Sequence, residues 1–565
     1  MLAAEKSSLK TWVSSGELWI WMNAAAVGIS IAAVGGLLGL IAVRGLAHFW
    51  PSDIAAVTHT DRAGNEVISL GEIIESETVE LDQYRHASGD TAEFPPEVET
   101  IERWQLKTGN RRVDPPDFRW IYQHQISRVD YPPDAAVFER MEWGNAYGTL
   151  ERVLEQGSTV GEGQQVWQAL QERLARVEAL RAEIAGIERG EFNHINYELE
   201  QLRLDRRRLE LDHDLDGATR STRLAEIEAA EAELDDRYRV AETGLKVLTE
   251  AAGRDAVEVV LANGTVITIK LSELVRAWRP NQMSLPEKLG HYFSSLWLFL
   301  SDDPREANTE GGIFPAIFGT VLMVLLMSVL VTPLGVIAAV YLREYARQGA
   351  FVRLIRIAVN NLAGVPSIVY GVFGLGFFVY FIGGSLDQLF FQAALPAPTF
   401  GTPGLVWASL TLALLTVPVV VVSTEEGLTR IPRSIREGSL ALGATKAETL
   451  FKVVLPIASP SILTGVILAV ARAAGEVAPL MLVGVVKLAP TLPLDGNFPY
   501  LHLERKFMHL GFHIYDVGFQ SPNVDAARPL VYATAFLLVL IIVVLNLTAI
   551  MLRTRLENRY RGVES

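Results

Sequence analysis

Arg472 and Glu476 stand inside an otherwise apolar run, ILAVARAAGEVAPLMLVG, where a bilayer core would surround them. A charge at that depth costs about 2.5–3.5 kcal/mol on insertion scales, so each must face protein or a water-filled path. Four residues apart, they share one face of a helix and partly neutralise each other. Gly475 between them removes a side chain and leaves room for another helix or a solute. Pro479 loosens the helix one turn later, because its ring denies a backbone bond. An anion crossing a membrane needs a cationic waypoint weak enough to release it, and an arginine partly cancelled by a glutamate meets that need. The alternative for the pair is a structural lock between two helices.

No catalytic constellation accompanies these charges. The chain has neither a GxxxxGK[ST] phosphate loop nor an HExxH pair, so any nucleotide hydrolysis belongs to another chain. His509 and His513 could share a helix face and bind a metal with His502. Their setting, FMHLGFHIYDVGF, reads better as a packed or capped loop. No metal and no cofactor is expected. Glu425 and Glu426 read equally as a partner contact or a solvated helix end.

The elements that must hold the pair are membrane helices. An apolar content of 50% and a mean hydropathy of +0.23 coexist with 20% charged residues, so the average conceals two unlike regions. Apolar runs near 20–43, 313–342, 360–383, 404–424, 461–486 and 530–552 each approach the roughly 20 residues that a span needs. The first is long and lacks a cleavage pattern, so it is read as a retained helix. Basic residues cluster after the second run (Arg343, Arg347, Arg353, Arg356), after the fourth (Arg430, Arg433, Arg436, Lys446, Lys452) and in the tail (Arg553, Arg555, Arg559, Arg561). The connection 384–403 has none. Positive residues favour the cytoplasm, which puts the N-terminus (1–19) and the tail (553–565) inside and residues 44–310 in the periplasm. A net charge of −15 argues against nucleic acid and suits an acidic exterior domain. With no cysteines, disulfides and thiolate metal sites are excluded.

The 44–310 insertion reads as α+β. AVEVVLANGTVITIKL (256–271) places Asn263-Gly264 between β-branched runs and predicts a hairpin with a type I′ turn. AAVTHTDRAGNEVISLGEII, turning at Gly64-Asn65, is a weaker relative, and the two suggest related halves. Apolar residues at three- and four-residue steps, Leu170 to Leu209 and Leu224 to Leu248, predict an antiparallel coiled-coil hairpin over about 163–250, projecting from the membrane. Arg203, Arg206, Arg207 and Arg208, interleaved with acids, read as a salt-bridged surface.

Between the fourth and fifth runs lies EGSLALGATKAETLFKVVLP (437–456). Glu437 to Leu442 makes a short helix, Gly443 permits a reversal, Thr445 caps a second helix and Pro456 stops it. Two short helices at an angle make a compact knob that a moving partner can drive as a rigid body. This segment resembles the loop that permeases of ABC importers present to their ATPase, with Glu437, Gly443, Leu455 and Pro456 in register and Gly438-Ser439 in place of two alanines. NTEGGIFPAIFGT (308–320), LGVIAAVYLREYA (334–346), LAGVPSIVYGVFGL (362–375) and ARAAGEVAPL (471–480) narrow the resemblance to PstA-type phosphate permeases. That resemblance implies a mainly α, six-helix membrane permease in the bacterial inner membrane, with the first helix at 20–43 and the other five in a permease domain at 311–552 whose coupling loop is 425–456. It further implies a PstC-like permease partner, a PstB-like ATPase dimer that binds the ATP, and a PstS-like phosphate-binding protein. Arg472 and Glu476 carry over to the charged pair of the family's fifth span.

Two departures bear on the cargo. Val477 stands where the family often has threonine, and Val422 where some members have arginine. Other oxyanions, phosphonate or sulfate, remain as rivals, as does an envelope sensor or scaffold tied to phosphate signalling. The inserted domain lies outside the resemblance.

Overall fold

The computed structural model describes residues 15–61, 64–88, 99–521 and 524–561. Most of the 1–19 segment and the last four residues of the tail fall outside them. Six helices among the described residues are long and apolar enough to cross a membrane: Leu18–Ala47, Phe314–Tyr345, Ser367–Phe390, Leu405–Arg430, Lys446–Ala474 and Ala527–Arg555. They are called spans 1 to 6. Span 4 is the hub. Its Leu412, Ala413 and Val420 are buried with Met323, Met327 and Val331 of span 2 and Ala469 and Ala473 of span 5. Lipid tails are as apolar as leucine, so close packing rather than burial from water must join these helices. Glycines permit it. A Cβ on Gly335 of span 2 would stand 2.5 Å from Val420 Cγ1, and one on Gly465 of span 5 would stand 2.8 Å from Ser423 Cβ. Span 1 leans on span 6 at the margin.

Span 5 differs from its expected extent of 461–486, beginning at Lys446 and ending at Ala474. Pro456 does not stop a helix but lies within one. A π turn, Leu450–Val454, widens the helix just before it, with the Leu455 amide bonding to Leu450 O. The backbone ladder is therefore already out of step where proline brings no donor.

A five-stranded and a six-stranded antiparallel sheet lie between spans 1 and 2. The first contains β1 (Ile54–Thr60), β2 (Glu66–Glu80), β3 (Thr100–Lys107), β4 (Phe118–Tyr122) and β5 (Ile126–Asp130), in the order β4-β3-β2-β1-β5. The second contains β6 (Ala135–Arg140), β7 (Asn145–Glu155), β9 (Asp255–Val260), β10 (Val266–Lys270) and β11 (Leu274–Trp278), in the order β10-β9-β7-β6-β11, with β8 (Ser158–Glu162) beside β7. The strand orders are identical, and so is the register. Ala56↔Asp130 answers to Val137↔Trp278, Glu72↔Lys107 to Thr149↔Val260, and Arg103↔Tyr122 to Ala256↔Lys270. Both bulges recur, at Ile74 and Ser127 in one sheet and at Glu151 and Val275 in the other. The insertion is thus a duplication, but the two hairpins singled out in the sequence are not equivalents. β1–β2 corresponds to β6–β7, and β9–β10 to β3–β4.

The β9–β10 turn is not type I′, which needs two residues at positive φ. Among its loop residues only Gly264 has one (+80°), and Gly264 N–H bonds to Leu261 O at 2.9 Å, a three-residue loop ending in a left-handed glycine.

Between β8 and β9 the chain forms α1 (Val166–Gly186) and α2 (Phe192–Leu211), joined through a π turn, then α3 (Gly217–Ala252). Leu170, Leu174 and Val177 root α1 on the second sheet. α3 returns antiparallel, as the Arg206–Glu231 (2.6 Å) and Arg237–Glu198 (3.0 Å) pairs show. The pair does not simply project. Tyr197 Oη on its flank donates to Phe498 O at 2.7 Å, in the connection between spans 5 and 6. Arg203, Arg207 and Arg208 pair with Glu200, Glu210 and Asp205 at 2.6 Å each on the exposed surface.

The helix α4 (Leu285–Ser301) leads from β11 toward span 2. Shorter helices in the permease part are α5 (Ala350–Leu362), α6 (Arg433–Ala441) and α7 (Leu510–Tyr515). Charges knit the sheets to the start of span 2. Glu139 holds Arg276 at 2.7 Å and Arg305 at 2.6 Å, and Arg111 holds Glu306 at 2.6 Å. Beside them, burial pushes the Glu310 carboxyl up to about 7.

Gly335→Leu should therefore destabilise the bundle by about 1–3 kcal/mol through overpacking against Val420, read as a lowered unfolding temperature in detergent. The Glu310 carboxyl ionises near 4.5 when unfolded and about 7 when folded. Its contribution is present below the first value and lost as pH rises through the second. His291, which burial pushes down to about 4, acts in the opposite sense. Glu310→Gln should therefore flatten the weakening of this junction between about 4.5 and about 7, relative to the parent, in hydrogen exchange of the 302–313 backbone.

Candidate functional site

Span 5 stops at Ala474, with Gly475 as its cap, and the chain resumes helix only at Leu480–Val483. Pro479 has no amide to offer Gly475 O, and it disfavours helix at Ala478. Arg472 thus lies in the last turn of a half-helix and Glu476 just beyond it. The expected unbroken helix with both on one face is not formed. Arg472 Nε and Glu476 Oε1 are 3.7 Å apart, and Arg472 Nη2 donates a long bond, 3.5 Å, to Ala363 O.

Packing fixes the depth of this break. Gly465 abuts Val420 and Ser423, and Gly427 abuts Ser461. Continuing that antiparallel register brings Arg472 level with Ala413 to Thr416, near the middle of span 4. The side chains of Arg472 and Glu476 are 31% and 20% exposed, so they open onto the surface of the single chain. A Cβ on Gly475 would meet nothing nearer than Arg472 O at 3.9 Å. A second interruption faces the first. Residues 363–366 part α5 from span 3, and a Cβ on Gly371 would stand 2.7 Å from Pro479 Cα.

The other candidate group lies at the opposite end of span 5. Gly443 turns the chain at φ +90°, a conformation strained for residues with a Cβ. Thr445 and Glu448 form a reciprocal capping box. Ser439 Oγ lies 2.9 Å from Thr449 Oγ1, pinning α6 to the segment after the turn. Arg436 anchors the whole: it reaches Glu344 at 3.0 Å, Leu428 O at 2.7 Å and Ile431 O at 2.9 Å, while Lys446 Nζ donates to Glu344 O at 2.6 Å. Glu437 and Gly438 are exposed, and Leu442 stands 91% exposed at the tip. Leu455 packs beneath, against a cluster of Val340, Leu428, Leu450 and Val454, and Pro456 is half-buried beside it. The six loop residues therefore divide into an exposed tip and a supporting base. Glu425 pairs with Arg356 of α5 at 3.1 Å, whereas Glu426 is exposed near Arg430.

The family described as binding-protein-dependent transport system inner membrane component matches residues 331–562. The phosphate transport system permease protein PstA of Mycobacterium leprae (strain TN) is 40% identical over 194 residues, covering 34% of this chain and 58% of that protein. PstA 1 of Mycobacterium tuberculosis (strain ATCC 25618 / H37Rv) is 34% identical, covering 44% of this chain and 72% of its own length. PstA of Yersinia pestis is 33% identical, covering 45% and 77%. The chain belongs to this permease family. It is accordingly a multi-pass inner membrane subunit without catalytic chemistry of its own, the family's ATPase being a separate chain.

In this permease two of the segments singled out in the sequence, 362–375 and 471–480, meet at the paired interruptions. Sequence reasoning missed α7, expected as part of a loop. It tucks against span 2, where Leu510 N–H donates to Thr320 Oγ1 at 2.9 Å, and against the break, where a Cβ on Gly511 would stand 2.6 Å from Val477 Cγ2. The closely spaced apolar residues of 507–517 were the available signal. His509 caps α7, accepting from Gly511 N–H at 3.1 Å, and burial pushes it down to about 4, which keeps that ring nitrogen an acceptor. His502 pairs with Asp495 and Glu504, and no group of three candidate ligands gathers among the described residues. Val422 is partly exposed on span 4.

Glu437→Lys or Gly443→Pro should abolish ATP-coupled uptake by the assembled importer while membrane insertion persists. Normal uptake by a correctly inserted Gly443→Pro chain would contradict the role given to the knob.

Proposed function

We propose that this chain is the permease subunit of an ATP-driven importer that carries inorganic phosphate into the cytoplasm. The observation that carries this reading is the Arg472–Glu476 pair at a mid-depth helix break, open to one side beside Gly475. Broken backbone at membrane depth is tolerated only where protein or a water-filled cavity covers it. A face that would be costly against lipid suits a second permease subunit of PstC type, with the path between the two. Arg472 offers the passing anion a cation, Glu476 weakens its hold, and Gly475 leaves the way clear. The exposed knob (Glu437, Gly438, Ser439 and Gly443, based on Leu455 and Pro456) suits a groove on a PstB-like ATPase dimer, which binds the ATP. Charge distribution supports both termini in the cytoplasm and the inserted domain in the periplasm, where a PstS-like protein would deliver phosphate.

Val477, an apolar neighbour of the break, favours a second reading in which a related oxyanion such as phosphonate or sulfate is the cargo. A sensor or scaffold without transport has no need to keep charges inside the membrane.

An arginine–oxyanion contact is worth about 1.5–3 kcal/mol, so Arg472→Gln should lower radiolabelled phosphate uptake at least about tenfold while ATPase assembly persists. Unchanged uptake would make the pair structural. Sulfate or phosphonate uptake without phosphate uptake would transfer the reading to that cargo.

A further inference from the structure

The helix α4 has two apolar faces, of which one is packed. One face, with Phe299 buried and Tyr292, Leu296 and Leu300 beside it, joins Phe49 at the end of span 1, Ile313 and Ala316 at the start of span 2, and Leu530 and Ala533 at the start of span 6. The other carries Leu285, Leu289, Phe293 and Trp297, 65%, 42%, 63% and 68% exposed, at steps of four. From Leu289 to Trp297 the exposed positions are Leu, Gly, Phe, Ser and Trp, with no charge among them. In a chain where one residue in five is charged, a helix bathed in water would not keep such a face.

We propose that α4 lies in the plane of the membrane, on the side bearing the inserted domain, with this stripe sunk among lipid acyl chains. The argument is continuity. α4 is seated on the ends of spans 1, 2 and 6, and spans 1 and 6 both leave long apolar surfaces uncovered on the single chain, as helices that cross a bilayer do. The stripe is therefore level with the bilayer boundary, where Trp and Phe settle. Its polar attachments run the other way. Lys288 pairs with Asp53 at 2.5 Å, and Ser295 accepts from Arg276 of β11 at 3.0 Å. The helix thereby fixes the orientation of the duplicated sheets against the membrane surface.

The chain has no cysteine, so single-cysteine labels report cleanly. Leu289→Cys and Phe293→Cys, with Val240→Cys on α3 as an exposed control, carry a nitroxide in full-length protein. The protein is reconstituted in phosphatidylethanolamine–phosphatidylglycerol vesicles. At 289 and 293, relaxation should respond more to oxygen than to an aqueous nickel chelate, with the order reversed at 240. Labels at 289 and 293 as open to nickel as the control would overturn the proposal. So would immobilised labels closed to both reagents, which would assign the stripe to a protein partner. Neither outcome depends on which anion is carried.

Discussion

A membrane interior offers no water to an unpaired amide or an unpaired charge, and this one constraint governs the permease half of the chain. At Gly475 the backbone leaves its helix with an arginine and a glutamate beside it. Everything nearby supplies what lipid cannot. Ala363 O, at the second interruption, gives Arg472 an acceptor. The tip of α7 covers Val477, and Thr320 of span 2 satisfies the first amide of α7. The face left open still needs a protein or aqueous neighbour, which is why a half-channel reading follows from one chain.

The same half-helix links the break to the knob. Span 5 is continuous from Lys446 to Ala474, so a displacement at Thr445 is carried along a stiff rod toward Arg472. The rod is bulged rather than broken at Leu450–Val454. Arg436 and Lys446, both holding Glu344, make the knob one body with the end of span 2. Such an arrangement transmits motion as a unit, the property a subunit without chemistry of its own requires of its contact with an engine.

Features set by neighbouring residues were legible in the sequence. Gly443 had to turn, Thr445 had Glu448 three residues on, and the arginines from Arg203 to Arg208 had acids within a helical turn. Prolines misled, because their effect depends on what the backbone has already done: the π turn absorbs Pro456, while Gly475 and Pro479 together end a helix that hydropathy alone would continue. Burial of α7 was invisible for a different reason, since its partners Thr320 and Val477 are far away in sequence. The duplication was sensed through the wrong pair of hairpins. The second copy is split by the helices of 166–252, and the equivalence resides in register and bulges rather than in side-chain identity.

The account rests on the break being a wet, anion-bearing passage, and Gly475→Cys tests that most directly. A thiol fits there without displacing a neighbour, and the chain has no other cysteine. In the assembled importer, a charged water-soluble thiol reagent should label this position, and phosphate delivered by its binding protein should slow the labelling. A thiol that stays unreactive in every nucleotide state, while a cysteine at the exposed α3 position Val240 reacts, would contradict the account and leave the pair as a dry lock between helices.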